Sequence, residues 1–268
     1  MFLTFTEEGH SYESIPAVSW TSVTKLIESY CNPFDEEDQA LRSSQNMNSK
    51  WFGMDPVEII KLWKAENLRS TDAGTWVHNK WEKNVSSLKH KEWEGKKLKV
   101  FPGKWEGETK IAPAQELEEG VYPEHIIYNE NLQVCGQADI VNVRDGFVDV
   151  IDYKTSKEIE DHSYGFKYGN ASMMLEPVNH LEDCNLSHYV LQLGIYMRLI
   201  LLKNPALKPG KLILIHVKMD INELDQYGFP ILKRTKENGY KIKRTKNYNI
   251  KYIENEVRSV LKDHYLKL

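Results

Sequence analysis

One segment in the middle of the chain constrains the fold more than any other. Residues 132–143 and 147–152 are rich in β-branched and other apolar side chains, and the intervening residues 144–146, Arg-Asp-Gly, are typical of a tight turn. We therefore predict two neighbouring strands joined by this turn. A further strand is predicted over residues 124–128, which residues 129–131 connect to the first of the two.

The flanking segments combine helical and strand patterns. An apolar helix is predicted over residues 186–202 and a buried strand over residues 212–217. The N-terminal third predicts a hairpin over 2–15 with its turn at Glu8-Gly9, a helix from Ser19 or Thr21 to about Tyr30, a helix from Pro56, a further helix from about Ala73, and a surface excursion over 86–112.

Together these elements predict a mixed α/β fold. No composition shift marks a linker, so we expect a single domain over residues 1–268. Its expected parts are a mainly helical N-terminal part at 1–120, the sheet with its helix at 121–220, and a basic hairpin and helix at 221–268.

Composition excludes several classes of protein. The chain has 268 residues and a formal net charge of −4. Its longest apolar stretch, residues 189–202, is too short to span a bilayer and contains Gln192 and Arg198. The N-terminal segment resembles neither a secretory signal nor a mitochondrial transit peptide, and the three dispersed cysteines indicate no disulfide framework. We expect a cytoplasmic protein of a bacterium or a phage-infected cell, without membrane contact.

The charge is unevenly distributed along the chain. From Lys203 to the C-terminus there are 15 Lys and Arg against 7 Asp and Glu. The densest basic runs, 233–236 and 241–246, flank residues 237–240, where Asn-Gly predicts a hairpin turn. The ribbon could bind nucleic-acid phosphates, or its lysines could protect an exposed edge strand, and the segment alone does not distinguish the two.

Two acids and a lysine carry the strongest chemical signal. Asp139 and Asp152 lie on the two strands joined by the turn, so pairing would bring their carboxylates together. Neighbouring carboxylates suit Mg²⁺ or Mn²⁺. Lys154 projects to the same strand face as Asp152, where an ammonium group could stabilise the charge that builds during phosphodiester hydrolysis. The structural alternative is an Asp152–Lys154 ion pair at a strand end, with Asp139 capping a turn.

Two further pairs have one-turn spacing on predicted helices. His78 and Glu82 lie at i and i+4, as do Gln192 and Tyr196. Taken singly, each pair is explained by a mutual hydrogen bond without any function.

Four short motifs follow one another along the chain: Gly74-Thr75-x-x-His78-x-x-x-Glu82, Gly136-x-x-Asp139, Asp152-x-Lys154 and Gln192-x-x-x-Tyr196. This ordered set resembles the RecB-like branch of the PD-(D/E)XK nuclease superfamily. Within that branch the set is similar to exonucleases of mitochondrial genome maintenance and of phages. The resemblance covers roughly residues 10–200. It implies a restriction-endonuclease-like core, a central mixed β-sheet flanked by helices.

The resemblance also implies a role for each matching residue. His78, Asp139, Asp152 and the backbone carbonyl of Tyr153 would bind Mg²⁺ or Mn²⁺, and Lys154 would be the catalytic lysine with Asp139 and Asp152. Gln192 and Tyr196 would brace the metal or the substrate phosphate, and Glu82 would orient His78 or assist a second metal.

The chain departs from the family pattern at two places. Ala138 stands where the family's namesake proline precedes the acid. Some relatives hold an iron–sulfur cluster through one early and three late cysteines, but here no cysteine follows Cys184, so we expect no cluster. No phosphate-binding loop motif is found, so we also expect no ATP dependence.

The sequence therefore predicts a metal-dependent DNA nuclease, more an exonuclease than an endonuclease, acting on single-stranded DNA or DNA ends. Any helicase or recombination protein would be a separate chain. The alternative is a catalytically silent nuclease fold that binds nucleic acid or a protein partner. The residues expected to hold the DNA backbone are Lys241, Lys243, Arg244 and Lys246. Trp76, Trp81 and Tyr164 could stack on bases, but such aromatic residues more often belong to the core, so we do not count them as site residues.

Overall fold

The computed structural model describes residues 2–6, 11–163, 166 and 169–268. Its helices are α1 Val23–Glu28, α2 Glu36–Gln45, α3 Pro56–Ser86, α4 Asn185–Lys203 and α5 Glu254–Tyr265. Its strands are β1 Phe2–Thr6, β2 Ser11–Ile15, β3 Thr21–Ser22, β4 His90–Trp93, β5 Lys96–Lys99, β6 Lys104–Glu106, β7 Thr109–Ile111, β8 Gly120–Asn129, β9 Val134–Arg144, β10 Phe147–Lys154, β11 Lys208–Met219, β12 Ile221–Leu224, β13 Pro230–Leu232 and β14 Ile242–Ile250.

A mixed central sheet organises the fold, with strand order β14-β11-β10-β9-β3 and β8 on the remaining side of β9. β10 and β11 are parallel. β9 pairs in antiparallel fashion with β8 on one side and β10 on the other, and β11 and β14 are also antiparallel. The crossover between β10 and β11 contains α4, as expected for a parallel pair. The predicted mixed α/β fold with a central sheet flanked by helices is confirmed.

The turn between β9 and β10 has the predicted geometry. Asp145 and Gly146 have φ values of +50° and +78°, the positive values that a two-residue hairpin requires and that glycine adopts without strain. The hairpin register pairs Phe147 with Arg144 and Ile151 with Ile140. Continued by one residue, this register sets Asp152 beside Asp139.

The two faces of the sheet are covered by different elements. Val150, Leu212 and Leu214 pack with α1, α4 and α5 in the main core, whereas Ile151 and Ile213 face the opposite side with Val85 and Leu98. Such alternation follows from the two-residue period of a strand. It places even-numbered residues of β10, including Asp152 and Lys154, on the α4 face.

A single helix, α3, replaces the two helices predicted between residues 56 and 86. The predicted start is confirmed, because Asp55 accepts a hydrogen bond from the Val57 backbone and Pro56 occupies the first turn. The helix continues through Gly74, where a Cβ would lie 3.1 Å from Oγ1 of Thr155. Glycine there marks a close approach between helix and sheet, not the end of a helix.

The first 120 residues contain more strands than the sequence indicated. Residues 86–112, expected to be an irregular excursion, form the hairpins β4–β5 and β6–β7. β7 also pairs with β1 and so joins the predicted N-terminal hairpin in a four-stranded sheet. The predicted turn at Glu8-Gly9 lies outside the described residues.

The basic C-terminal segment differs from the predicted long hairpin. Its turn exists, with Asn238 at φ +59° and the Thr235 backbone N–H donating to the Gly239 carbonyl. Among the described residues, the strand-type bridge across this turn is the isolated pair of Arg234 and Tyr240. Lys243, Arg244 and Lys246 instead lie on β14, which pairs with β11 at the edge of the central sheet. Pairing with β11 provides hydrogen-bond partners for the backbone along one side of β14, so it is favoured over a short two-stranded ribbon.

Within the described ranges, no helix combines the length and apolar character needed to cross a bilayer.

Candidate active site and metal centre

β9 and β10 bring the predicted acids and lysine together. Asp139 and Asp152 are both buried, with 5% and 2% of their surfaces exposed. The backbone N–H of Tyr153 donates to Oδ2 of Asp139, and Nζ of Lys154 lies 2.7 Å from Oδ2 of Asp152. The two halves of the predicted motif are thus linked through the backbone. The Tyr153 carbonyl as a metal ligand stays a prediction.

α3 delivers His78 to the same point. Val77 and Ala73 are buried and anchor the helix, and Nδ1 of His78 lies 2.9 Å from Oδ1 of Asp139. The helix thus places a nitrogen donor beside a strand-borne carboxylate, 61 residues further along the chain.

Glu124 is a site residue that the sequence reasoning did not identify. β8 pairs Pro123 with Ile140 and His125 with Ala138, so Glu124 lies opposite Asp139. Its Oε2 accepts a hydrogen bond from Nε2 of Gln137. Its buried Oε1 has no hydrogen-bond partner among the described residues and lies 3.7 Å from Nδ1 of His78. An acid at the start of a predicted strand was the available signal.

These side chains form a group that fits a divalent cation. The donor atoms of His78, Glu124 and Asp139 all lie within 4.8 Å of one another. One imidazole nitrogen and two carboxylate oxygens suit Mg²⁺ or Mn²⁺ completed by water or substrate oxygens. The buried, unpartnered Oε1 of Glu124 is the observation that a cation would explain.

The protonation of this group reflects burial and mutual repulsion. Burial, assisted by the carboxylates of Asp152 and Glu124, raises the pKa of Asp139 to about 7 against the opposing effect of His78. Burial alone would lower the pKa of His78, but Asp139 and Glu124 outweigh it, so this pKa lies well above its usual value. Around neutral pH the metal-free pair Asp139–His78 therefore retains a proton that a cation would displace.

Lys154 keeps its positive charge in this environment. Burial would lower the pKa of its ammonium group, yet the carboxylates of Asp152 and Asp139 outweigh burial and raise it. The Nζ atom also lies 5.0 Å from the centroid of the Tyr189 ring on α4. The site thus holds a fixed ammonium group beside buried carboxylates.

Gln192 and Tyr196 of α4 lie at the rear of the site. Nε2 of Gln192 donates to the Tyr196 hydroxyl at 3.1 Å, as the spacing predicted. A Cβ at Gly136 would lie only 2.6 Å from Cε1 of Tyr196. The glycine of Gly136-x-x-Asp139 therefore lets β9 pack against this tyrosine. Both polar residues border the site, and their function stays a prediction.

Glu82 has a basic partner that the sequence reasoning did not identify. Its Oε1 accepts a hydrogen bond from Nζ of Lys110 at 2.7 Å, and the carboxylates beside His78 belong to Asp139 and Glu124. Lys110 is only 1% exposed, so this carboxylate partner compensates for its burial. The role of Glu82 towards His78 or a second metal stays a prediction.

The site residues open into one cavity of about 520 Å³. Its lining includes His78, Glu82, Glu124, Asp139, Asp152, Lys154, Gln192 and Tyr196. The volume lies within the range of typical ligand pockets.

The aromatic candidates are mainly packed against protein. Trp76 forms an edge contact with Tyr240, with 5.7 Å between ring centroids, and Trp81 contacts Tyr153 at 4.2 Å. These two side chains are therefore part of the packing around the site. Tyr164 lies outside the described residues.

Of the four basic residues, Lys243, Arg244 and Lys246 lie on β14, and Lys241 precedes this strand. Register across β10, β11 and β14 aligns Lys154 with His216 and His216 with Lys246, and it aligns Lys218 with Arg244. Paired residues project from the same face, so Arg244 and Lys246 share the face of Lys154. Lys243 lies at an irregularity of this pairing, between Ile242, which pairs with Met219, and Arg244, which pairs with Lys218. Nζ of Lys241 lies 3.6 Å from Oδ2 of Asp220.

Three kinds of comparison relate the chain to known proteins. The sequence model of the PD-(D/E)XK nuclease superfamily matches residues 53–264, well over half of the chain. No curated protein matches the sequence. Among solved structures, the crystal structure of SSO0001 shares 15% identity over 97% of this chain and 81% of that one, with a TM-score of 0.35. Because the family model matches most of the chain, including the residues of the site, the chain belongs to the PD-(D/E)XK nuclease superfamily.

Proposed function

We propose that the protein is a Mg²⁺- or Mn²⁺-dependent deoxyribonuclease that acts as an exonuclease on single-stranded DNA or DNA ends. The observation that carries the proposal is the convergence of His78, Glu124 and Asp139 beside the Asp152–Lys154 ion pair in one cavity. Members of this superfamily use such a combination to hydrolyse phosphodiester bonds.

Each residue has a defined task in this proposal. A divalent cation held by His78, Glu124 and Asp139, with Asp152 alongside, would supply Lewis-acid stabilisation of the scissile phosphate. Lys154 donates hydrogen bonds to a phosphate oxygen as negative charge builds there, and the carboxylate of Asp152 holds its ammonium group in place. The Tyr153 N–H fixes one oxygen of Asp139, leaving the other for His78 or the cation.

The size of the cavity supports a single-stranded substrate. A volume of about 520 Å³ suits one or a few nucleotides, whereas a duplex would have to remain outside it. Strand separation would then be left to fraying or to a separate helicase or recombination protein, in replication, repair or recombination.

The DNA backbone would leave the cavity towards the edge strand β14. Neighbouring strands are about 4.8 Å apart, which puts the Lys246 backbone roughly 10 Å from that of Lys154. Between them His216 is buried beneath Ser156, whose carbonyl oxygen lies 2.7 Å from Nε2 of His216. Arg244 and Lys246 are exposed on this same side, and so they are the better phosphate ligands of the predicted quartet.

The three cysteines of the chain are free thiols. Free thiols are typical of proteins that work in a reducing cytoplasm, which is the location we propose.

A cleavage assay tests the proposal directly. Linear single-stranded, linear double-stranded and circular single-stranded DNA, with 5′ or 3′ labels on the linear forms, would be incubated with Mg²⁺, Mn²⁺ or EDTA. We expect metal-dependent degradation of linear single strands, resistance of the circle, and loss of activity in Asp152→Ala. Cleavage of the circle would contradict the exonuclease assignment, and binding without cleavage in any metal would favour the catalytically silent alternative.

A further inference from the structure

A second convergence of metal-binding side chains lies outside the catalytic cavity. Sγ of Cys31 lies 3.2 Å from Nε2 of His188, and the same nitrogen lies 2.8 Å from Oδ1 of Asp183. The three donor atoms all lie within 4.8 Å of one another. None of the three residues lines the cavity that holds His78 and Asp152.

The fold brings these donors together from distant parts of the chain. Cys31 follows the C-terminal end of α1, and Asp183 and His188 flank the first turn of α4. Oδ2 of Asp183 accepts hydrogen bonds from the backbone and the side chain of Asn32, at 2.8 and 2.9 Å. These bonds leave Oδ1 directed at the imidazole and fix the carboxylate, as outer hydrogen bonds do for metal ligands.

The spacing is close to that of a tetrahedral zinc site. Bonds of about 2.3 Å to sulfur and about 2.1 Å to nitrogen or oxygen put neighbouring ligands roughly 3.4 to 3.6 Å apart. To reach this spacing, the 3.2 Å contact between Cys31 and His188 would lengthen by a few tenths of an ångström, and the 2.8 Å contact between Asp183 and His188 would lengthen somewhat more. All three residues are partly exposed, so an ion and a water molecule can reach them.

We propose that Cys31, Asp183 and His188 bind one Zn²⁺ ion, with water in the fourth position. A thiolate with an imidazole selects a borderline-soft cation such as Zn²⁺ or Co²⁺, whereas the oxygen-rich group around Asp139 suits Mg²⁺ or Mn²⁺. The ion ties the end of α1 to the start of α4, the helix that carries Gln192 and Tyr196. The inference does not depend on nuclease activity.

Co²⁺ binding tests the site through its sulfur ligand. A cobalt–thiolate bond gives a near-ultraviolet charge-transfer band, which oxygen and nitrogen ligands alone do not give. We expect the full-length protein to develop this band with one equivalent of Co²⁺ and to lose it when Zn²⁺ is added. Cys31→Ser should abolish the band, and His188→Ala should weaken Zn²⁺ binding at least tenfold in calorimetry.

Matched variants keep the test specific. Cys184→Ser removes a thiol that is adjacent to Asp183 in sequence but does not belong to the donor group. His162→Ala breaks a comparable imidazole–carboxylate pair, His162–Glu182. Both should retain the band, as should Asp139→Asn in the catalytic site. Absence of the band in the wild-type protein, or its persistence in Cys31→Ser, would overturn the proposal. If Cys31→Ser fails to fold, loss of the band in His188→Ala decides the question.

Discussion

Three buried carboxylates lie around one imidazole and one ammonium group. Glu124, Asp139 and Asp152 are each less than a tenth exposed, and their mutual repulsion contributes to the raised pKa of Asp139, about 7. Buried like charges destabilise a fold unless a cation or proton compensates them. These three carboxylates therefore weaken the metal-free protein, and metal binding should stabilise it.

Glu124→Gln tests whether the residue revealed by the structure is a metal ligand. The amide preserves shape and can still accept the hydrogen bond from Gln137, but it removes a negative donor. We expect Mn²⁺ affinity to fall by about tenfold or more, measured by calorimetry, while the metal-free melting temperature stays equal or rises. The exposed Glu116→Gln is the matched control. Unchanged Mn²⁺ affinity in Glu124→Gln would remove Glu124 from the metal site.

The pH dependence of stability tests the proton held by Asp139 and His78. Both have a pKa above its ordinary value in the folded protein, so the folded state binds more protons than the unfolded chain. This contribution is complete at low pH and is lost as pH rises through the folded-state values, so the free energy of unfolding falls between about pH 5 and pH 8.

Urea unfolding in EDTA would measure this effect, as the difference between wild type and Asp139→Asn, so that other titrating groups cancel. The wild-type advantage should shrink as pH rises across this range. An advantage that grows instead would contradict the assigned protonation. With saturating Mn²⁺ the trend should reverse, because the cation binds the deprotonated form.

At the scale of elements, close packing of β9 against α4 explains the motif glycine. Gly136→Ala would place a methyl group 2.6 Å from Tyr196 and 3.2 Å from Val23. We expect a loss of about 1 to 3 kcal/mol in the free energy of unfolding, measured by urea titration, and lower kcat because β9 carries Asp139.

The double variant Gly136→Ala/Tyr196→Leu checks this explanation. The penalty of Gly136→Ala should be smaller in the Tyr196→Leu background, since the clashing ring is absent. An equal penalty in both backgrounds would show that the tyrosine contact is not the cause.

Local sequence patterns predicted those elements whose geometry is set locally. The turn at Asp145-Gly146, the helix α4 and the start of α3 at Pro56 follow from turn chemistry, apolar periodicity and capping. Gly74 was misleading, because glycine usually indicates a helix break and here provides space beside Thr155. The continuous α3 depends on that tertiary contact, which no local pattern contains.

The candidate site shows the same division. Asp139, Asp152 and Lys154 lie together as the predicted strand pairing implied, and His78 lies beside them as the family resemblance implied. Glu124 reaches the site only through the register of β8 on β9, and Lys110 reaches Glu82 only because β7 joins the N-terminal sheet. Both contacts are set by strand pairing over long sequence separations, which a single sequence does not specify.

At the scale of the whole molecule, the basic C-terminal quarter supplies the edge strand of the central sheet. β14 bears Lys243, Arg244 and Lys246, and the chain as a whole has a net charge of −4. Lysines on an edge strand also hinder unwanted strand pairing, so both interpretations of the segment fit this position. The two interpretations can be distinguished by sheet face, because Arg244 and Lys246 project from the face that also carries Lys154.

Paired substitutions test which face binds DNA. Arg244→Gln/Lys246→Gln should weaken binding of single-stranded DNA and reduce the slope of log affinity against log salt by up to about 0.7 for each phosphate that is no longer neutralised. Lys241→Gln/Lys243→Gln removes the same charge from the other positions and should change the slope little. Fluorescence anisotropy at several salt concentrations gives both slopes. Equal effects of the two pairs would contradict a path along the Lys154 face.

Anomalous diffraction from a crystal soaked in Mn²⁺ is the most direct test of the catalytic centre. The account predicts one strong manganese peak within bonding distance of the imidazole of residue 78 and of the carboxylates of residues 124 and 139. A well-ordered crystal with no peak there, or with the ion bound elsewhere, would contradict it.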